Sequence, residues 1–375
     1  MRQSLRSALL AFLAVALLLQ TGRAWAWGNT GHEAVAFVAW NHMDQATKDK
    51  VFALLQQVPS VQNADQTITI PGFTEWSANL PAGLTDDQQH MYIFMRAATW
   101  PDSIKHRFFH DSDTPPANLS EAEANLGFTD RNSHGYWHFI DTPFGTPRSG
   151  AKAPALPSSC QKFAPAPVTS LPDAPVANAV AEISLLSTAL ASDEDPALKA
   201  YDLIWLEHLT GDVHQPLHAT VRFVQGIPDT GGNCVAISVP KPISTHFVPA
   251  GSKERAPSEL HAFWDDLPGT GGQMDTKLAA DYAATLPAPP DDQASISDPA
   301  IWAQESFTMA GQDVYSGPIA VGFGTPKAYV ITQTYYTTAY TDAQQRIALA
   351  GVRLANMLTQ ALNPTAASPA TSSPQ

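Results

Sequence analysis

The chain has 375 residues, a formal charge of −14 and two cysteines, Cys160 and Cys234. A charge of that sign and size excludes a partner held mainly by phosphate attraction to a basic surface, so any bound nucleic acid must meet a local site. The longest apolar run, Ala8 to Leu19, is twelve residues, too short for a permanent membrane span.

That run belongs to a leader. Arg2 and Arg6 precede it and Ala24-Trp25-Ala26 is an A-x-A cleavage signal, so residues 1–26 read as a signal peptide and the mature chain starts at Trp27. The leader holds three arginines and no acid, which leaves −14 − 3 = −17 on the mature protein. Export, to the periplasm or out of the cell, permits a disulfide between Cys160 and Cys234; two buried thiols are the alternative.

Thr30-x-x-Glu33 has capping-box spacing and predicts a helix running through Val35, Val38 and His42. A second helix follows around Thr47 to Gln57, and 58–84 reads as loop. Thr85-x-x-Gln88 repeats the signature and opens a helix through Met91, Met95 and Ala98, ending at Trp100-Pro101-Asp102-Ser103-Ile104-Lys105. The aromatic and β-branched run Tyr136 to Asp141 suits a strand or extended loop, and the proline-dense 142–175 an irregular insertion.

Helices resume at Val176 to Ala191 and again after Asp195-Pro196, an N-cap followed by a first-turn proline. Pro216 lacks a backbone donor and ends or kinks that second helix, re-aiming His218. Gly231-Gly232-Asn233 is a turn beside a short hairpin expected around 234–248. Further helices fit Ser258 to Asp265, 272–286, 298–314 and 326–362, and the last residues, 363–375, read as a disordered tail. The expectation is one all-α domain over 27–362, mainly helical with long loops and one short hairpin.

Chemistry concentrates in a few places. His208 and Asp212 are four apart and project from one helix face, and His261 and Asp265 repeat the spacing. His32, Asp102, His138 and His218 stand at element ends. Zinc takes imidazole nitrogen and carboxylate oxygen, and that many donors serve more than one metal. Clustered metals suit phosphoester hydrolysis, activating water and stabilising the leaving oxygen together. His214 lies between these donors and reads as a supporting or core histidine; His42, His90, His106, His110, His134 and His246 have no paired spacing.

Six motifs then occur in order: Trp27-Gly28-x-x-Gly31-His32-Glu33, Trp100-x-Asp102-x-x-Lys105, His138-Phe139-Ile140-Asp141, His208-x3-Asp212-x-His214-Gln215-Pro216-Leu217-His218, Gly231-Gly232-Asn233 and His261-x-x-Trp264-Asp265. Together they resemble the zinc-dependent, single-strand-specific nuclease and 3′-nucleotidase family, the type I nucleases, which share a helical fold with bacterial zinc phospholipase C. The resemblance runs from Trp27 to about residue 362.

It implies three zinc ions per chain. Trp27, through its α-amino nitrogen and carbonyl oxygen, would bind one with His32 and Asp212. Asp102, His138 and His208 would hold a second, with Asp212 bridging, and His218, His261 and Asp265 a third. Asp102, Asp212 and Lys105 would be the catalytic set, Lys105 also meeting the substrate phosphate. Phe139, Asp141 and Asn233 would form a nucleobase pocket, the ring stacking on an unpaired base and the polar groups reading its edge. The implied activity is endonucleolysis of single-stranded DNA and RNA to 5′-phosphorylated products, with 3′-nucleotidase activity, by a monomer without a membrane anchor. A zinc phospholipase C and a non-catalytic zinc scavenger are the competing readings. The chain departs from the family in three ways: Pro101 before Asp102, extra residues between His218 and Gly231, and the 142–175 insertion.

Overall fold

The computed structural model describes residues 27–62, 69–104, 133–150, 154–161, 167–192, 195–248, 255–269 and 275–363. The expected leader, the tail beyond 363 and Lys105 lie outside the described residues. The helices are α1 (Asn29–His42), α2 (Gln45–Leu55), α3 (Phe73–Ser77), α4 (Asp86–Ala97), α5 (Trp100–Ser103), α6 (Ser158–Gln161), α7 (Ala179–Leu190), α8 (Pro196–Val213), α9 (Lys241–Phe247), α10 (Leu260–Asp265), α11 (Thr276–Ala283), α12 (Asp291–Ala294), α13 (Pro299–Met309) and α14 (Gln333–Leu362). The all-α expectation is met.

Local sequence explains most of the starts. Thr85 and Gln88 form the reciprocal cap of α4, with bonds of 3.3 and 3.0 Å, and Asp44 caps α2 by accepting from the Thr47 amide at 2.7 Å. Asp195 accepts from the Ala197 amide at 2.8 Å while Pro196 takes the first position of α8. From Ala200 to Val213 every residue of α8 is buried. The polar residues on α8 therefore face protein on all sides, which rules out a solvent-facing helix.

The N-terminal cap differs from expectation. Helix α1 begins behind Gly28 with no side-chain cap, and Glu33 turns inward to accept from Thr276 Oγ1 at 2.9 Å. Burial pushes the Glu33 carboxyl up to about 8, against the pull of that bond and of Arg96. Tertiary packing of α1 against α11 and α14 outweighs the local capping preference.

Helix α14 lies along α1, and Gly351 sets how close they come: a Cβ there would stand 2.4 Å from Val38 Cβ and 2.8 Å from the Val35 carbonyl oxygen. Gly351→Ala should lower stability by about 1–3 kcal/mol through overpacking. That exceeds the roughly 1 kcal/mol alanine gains over glycine inside a helix. An unchanged denaturant midpoint would refute the close approach.

Strands are few and short. Segment 58–84, expected as loop, holds a two-residue ladder, β1 (Val61–Gln62) with β2 (Thr69–Ile70), and α3. Gly135–His138 is a 3-10 turn and the backbone extends only from Phe139, so of the strand or extended loop expected at 136–141 only the second half is extended. The hairpin stands at β4 (Val221–Val224) and β5 (Ile227–Pro228), not at 234–248. Its turn, Gln225-Gly226, has φ of 51° and 79°, the left-handed pair a two-residue hairpin requires. Glutamine is an uncommon resident there, which hid the signal. β4 also pairs in parallel with β3 (Pro143–Gly145), at the start of the proline-rich segment. In the region where the hairpin was expected, β6 (Ile237–Ser238) pairs with β7 (Tyr329–Val330) and is followed by α9.

Cys160 and Cys234 are joined as a disulfide, both fully buried. Among the described residues no helix is long and apolar enough to cross a membrane.

Candidate metal centre

Helix α8 is the spine of the site. His208 and Asp212, one turn apart, meet residues from α1, from α5 and from the 135–138 turn. Asp212 reaches two ways: one carboxylate oxygen lies 3.3 Å from His32 Nε2, the other 2.8 Å from His138 Nδ1 and 3.4 Å from His208 Nε2. Asp102, delivered by α5, lies 3.6 Å from His208 Nε2 and 4.0 Å from His138 Nδ1. The His32 ring stacks on His208 with centroids 3.8 Å apart. Gly211 makes that possible, because a Cβ there would come within 2.9 Å of His32 Nδ1.

A second group lies where α8 has ended. The helix stops at Val213 and residues Pro216–His218 form a 3-10 turn, so Pro216 does redirect His218. His218 faces His261 of α10, ring centroids 5.0 Å apart, and His261 Nε2 lies 3.5 Å from Asp265. Among the described residues, three-residue groups with donor atoms all within 4.8 Å of one another are His32, Asp102 and His208; His138, His208 and Asp212; and His218, His261 and Asp265. All are buried.

The chemistry of these donors can be tested for fit to a metal. His208 Nδ1 donates to the Ala98 carbonyl at 2.7 Å, His218 Nδ1 to the His138 carbonyl at 2.6 Å and His261 Nδ1 to the Gly231 carbonyl at 2.6 Å. A carbonyl only accepts, so each Nδ1 carries a proton, and Nε2 is the nitrogen turned toward the group. For His208 and His261 that nitrogen faces a carboxylate oxygen, an arrangement that suits a cation held between the two. Dry imidazole and carboxylate donors held this way fit a divalent zinc ion.

Trp27, the expected first mature residue, is held beside the second group. Trp27 is fully buried, and the Gly28 amide donates to the Asp265 carbonyl at 2.8 Å. Asp265 turns toward His261, as their spacing predicts.

The expected nucleobase residues lie next to the centre. Phe139 is half-buried against the core, with its carbonyl accepting from Ala179, while Ile140 donates to the His218 carbonyl at 2.7 Å. Asp141 is half-buried and its carboxyl is pushed up to about 7, first by desolvation and then by Asp229. Asn233 is half-buried and its amide folds back to donate to the Thr230 carbonyl at 2.8 Å.

Several contributors were not legible as such. Gln215 donates to Asp265 Oδ1 at 2.7 Å and accepts from the Leu217 amide at 2.5 Å, tying the end of α8 to α10. Its place within the His214-Gln215-Pro216 run was the available signal. Asp229 accepts from the Arg222 amide at 3.0 Å and pairs with its guanidinium at 3.3 Å, under the Gly231 turn. His214 turns away from the centre, donating to Thr210 and accepting from Arg353 Nη1 at 2.9 Å. Burial and Arg346 hold it well below the usual histidine range. His134 is buried and stacked on Trp137.

Buried His–Asp groups converging on one buried helix of a helical body form a centre that could hold metal ions. Residues 27–363 match the family model described as S1/P1 Nuclease, and the chain belongs to that family. The match starts at Trp27, the expected first mature residue. A search of the curated proteins finds no match.

Proposed function

We propose that the protein is an exported phosphoesterase with three zinc ions per chain, cutting single-stranded DNA and RNA to 5′-phosphorylated products and removing the phosphate from 3′-nucleotides. The observation that carries this reading is Asp212, a buried carboxylate presenting one oxygen to His32 and the other to His138 and His208. One zinc would take the Trp27 terminus, His32 and Asp212; a second Asp102, His138, His208 and Asp212; a third His218, His261 and Asp265. Bound there, zinc supplies a lowered pKa for water and neutralises charge on the phosphate.

The chain's own groups do the rest. Carbonyls of Ala98, His138 and Gly231 hold three imidazoles in one tautomer, so their basic nitrogens face inward. Gln215 orients Asp265 through one carboxylate oxygen and leaves the other toward His261. Phe139 offers a stacking face worth about 1–3 kcal/mol per base, which requires an unpaired base. Asp141 and Asn233 would meet the base edge, and Lys105 the phosphate. A local stacking site explains how a mature protein of charge −14 − 3 = −17 binds a polyanion.

The family match and the A-x-A signal ahead of Trp27 support export. Acid-soluble nucleotide release from single-stranded DNA, measured beside phosphatidylcholine cleavage, tests the reading. Lipid turnover without nucleotide release would replace it with a phospholipase C. A fully zinc-loaded protein inert on both would replace it with a scavenger.

A further inference from the structure

The two sides of the proposed nucleobase subsite come from distant parts of the chain. Phe139 and Asp141 precede β3; Asn233 follows β5. Between them run the proline-rich segment and the extra residues after His218, the stretches by which this chain departs from family spacing. The structure joins those stretches twice. Pro143, Phe144 and Gly145 pair with Val221, Arg222 and Phe223. Cys160, in α6, is bonded to Cys234, the residue after Asn233, across 74 positions.

The cross-link grips the turn that carries Asn233. The Cys234 amide donates to the Asp229 carbonyl at 3.0 Å, Thr230 Oγ1 lies 3.4 Å from Cys234 Sγ, and Asn233 itself bonds the Thr230 carbonyl. On one side the Asp229–Arg222 pair braces this turn. On the other, the disulfide is the covalent tie to the segment that leaves Asp141. Of the metal donors near this turn, His261 bonds the Gly231 carbonyl at the end braced by Asp229 and Arg222, while Asp265 is held by Gln215 and its carbonyl by Gly28.

We propose that the Cys160–Cys234 disulfide is a positioning element of the nucleobase subsite, holding Asn233 opposite Phe139 and Asp141 and so setting affinity for base-bearing substrates. The inference rests on the functional reading above. A loosened Asn233 must be ordered afresh at each binding event, which weakens binding without touching the bond-breaking step.

The test compares the oxidised protein with the C160S/C234S variant, and with wild type folded first and then reduced by a phosphine, in case the variant does not fold. Substrates are a 3′-mononucleotide and bis(4-nitrophenyl) phosphate, which offers no base edge to Asn233. Zinc content is measured on every sample. The expected result is a KM for the nucleotide raised roughly three- to tenfold, the scale of re-ordering one side chain. The kcat, both constants for the base-free diester and the zinc content should stay unchanged. An unchanged nucleotide KM overturns the proposal. So does an equal loss on both substrates accompanied by zinc loss, because the disulfide would then be a general staple. A wild-type protein that turns over the diester but no nucleotide overturns the functional reading, and the proposal with it.

Discussion

Asp212→Ala should reduce bound zinc from three ions per chain to one and abolish phosphodiester hydrolysis. The two oxygens of Asp212 face different imidazoles, His32 on one side and His138 with His208 on the other, at 2.8–3.4 Å. Removing the carboxylate takes a donor from both positions at once and leaves those three rings facing a small cavity. The group around His218, His261 and Asp265 keeps its own donors and its own tie through Gln215, so one zinc should remain. Each ion held at a thousand times its Kd adds about 4 kcal/mol to stability, so the variant should also unfold earlier. Elemental analysis of the purified variant decides the matter: three zinc ions per chain would refute the shared role of Asp212.

A single residue added ahead of Trp27 should cost one zinc ion and most of the activity, with the fold kept. A terminal amine carries a lone pair that an amide nitrogen has lost to resonance. A terminus at Trp27 has little freedom to adapt: Trp27 is fully buried, a Cβ on Gly31 would stand 2.6 Å from Trp27 Cβ, and Gly28 is bonded to the Asp265 carbonyl. The chain therefore enters the site along one path, and an added residue cannot be absorbed by sliding. Mass spectrometry of the intact protein would establish the start residue, and zinc analysis the stoichiometry. Three ions and full activity in the extended protein would show the amine to be dispensable.

The sequence was a good guide where physics is local. The capping pairs Thr85–Gln88 and Asp195 with Pro196 predict helix starts that the structure has, and Pro216 ends α8 as a missing donor must. The i,i+4 pairs His208–Asp212 and His261–Asp265 each share one helix face because helical geometry leaves no choice. It was a poor guide where distant segments compete with a local preference. Glu33 has capping-box spacing, yet burial against α11 recruits it to Thr276. The 234–248 region looked like a hairpin, but β6 found its partner in β7, some ninety residues further on. The true hairpin was concealed by a glutamine in left-handed conformation that β3 and the proline-rich segment help to hold.

By itself, then, the sequence determined the helical class, the positions of the metal-type donors and the family whose motifs they form, since these depend on residue type and short spacing. Only the tertiary structure decided which donors meet. His32, Asp102, His138 and Asp212 lie on four separate elements, and their convergence follows from how α1, α5 and the 135–138 turn pack on a helix buried on every side. The pairing of Cys160 with Cys234 and the bracing of the Gly231 turn by Arg222 and Asp229 belong to the same level. Each joins residues whose proximity exists only once the core has formed.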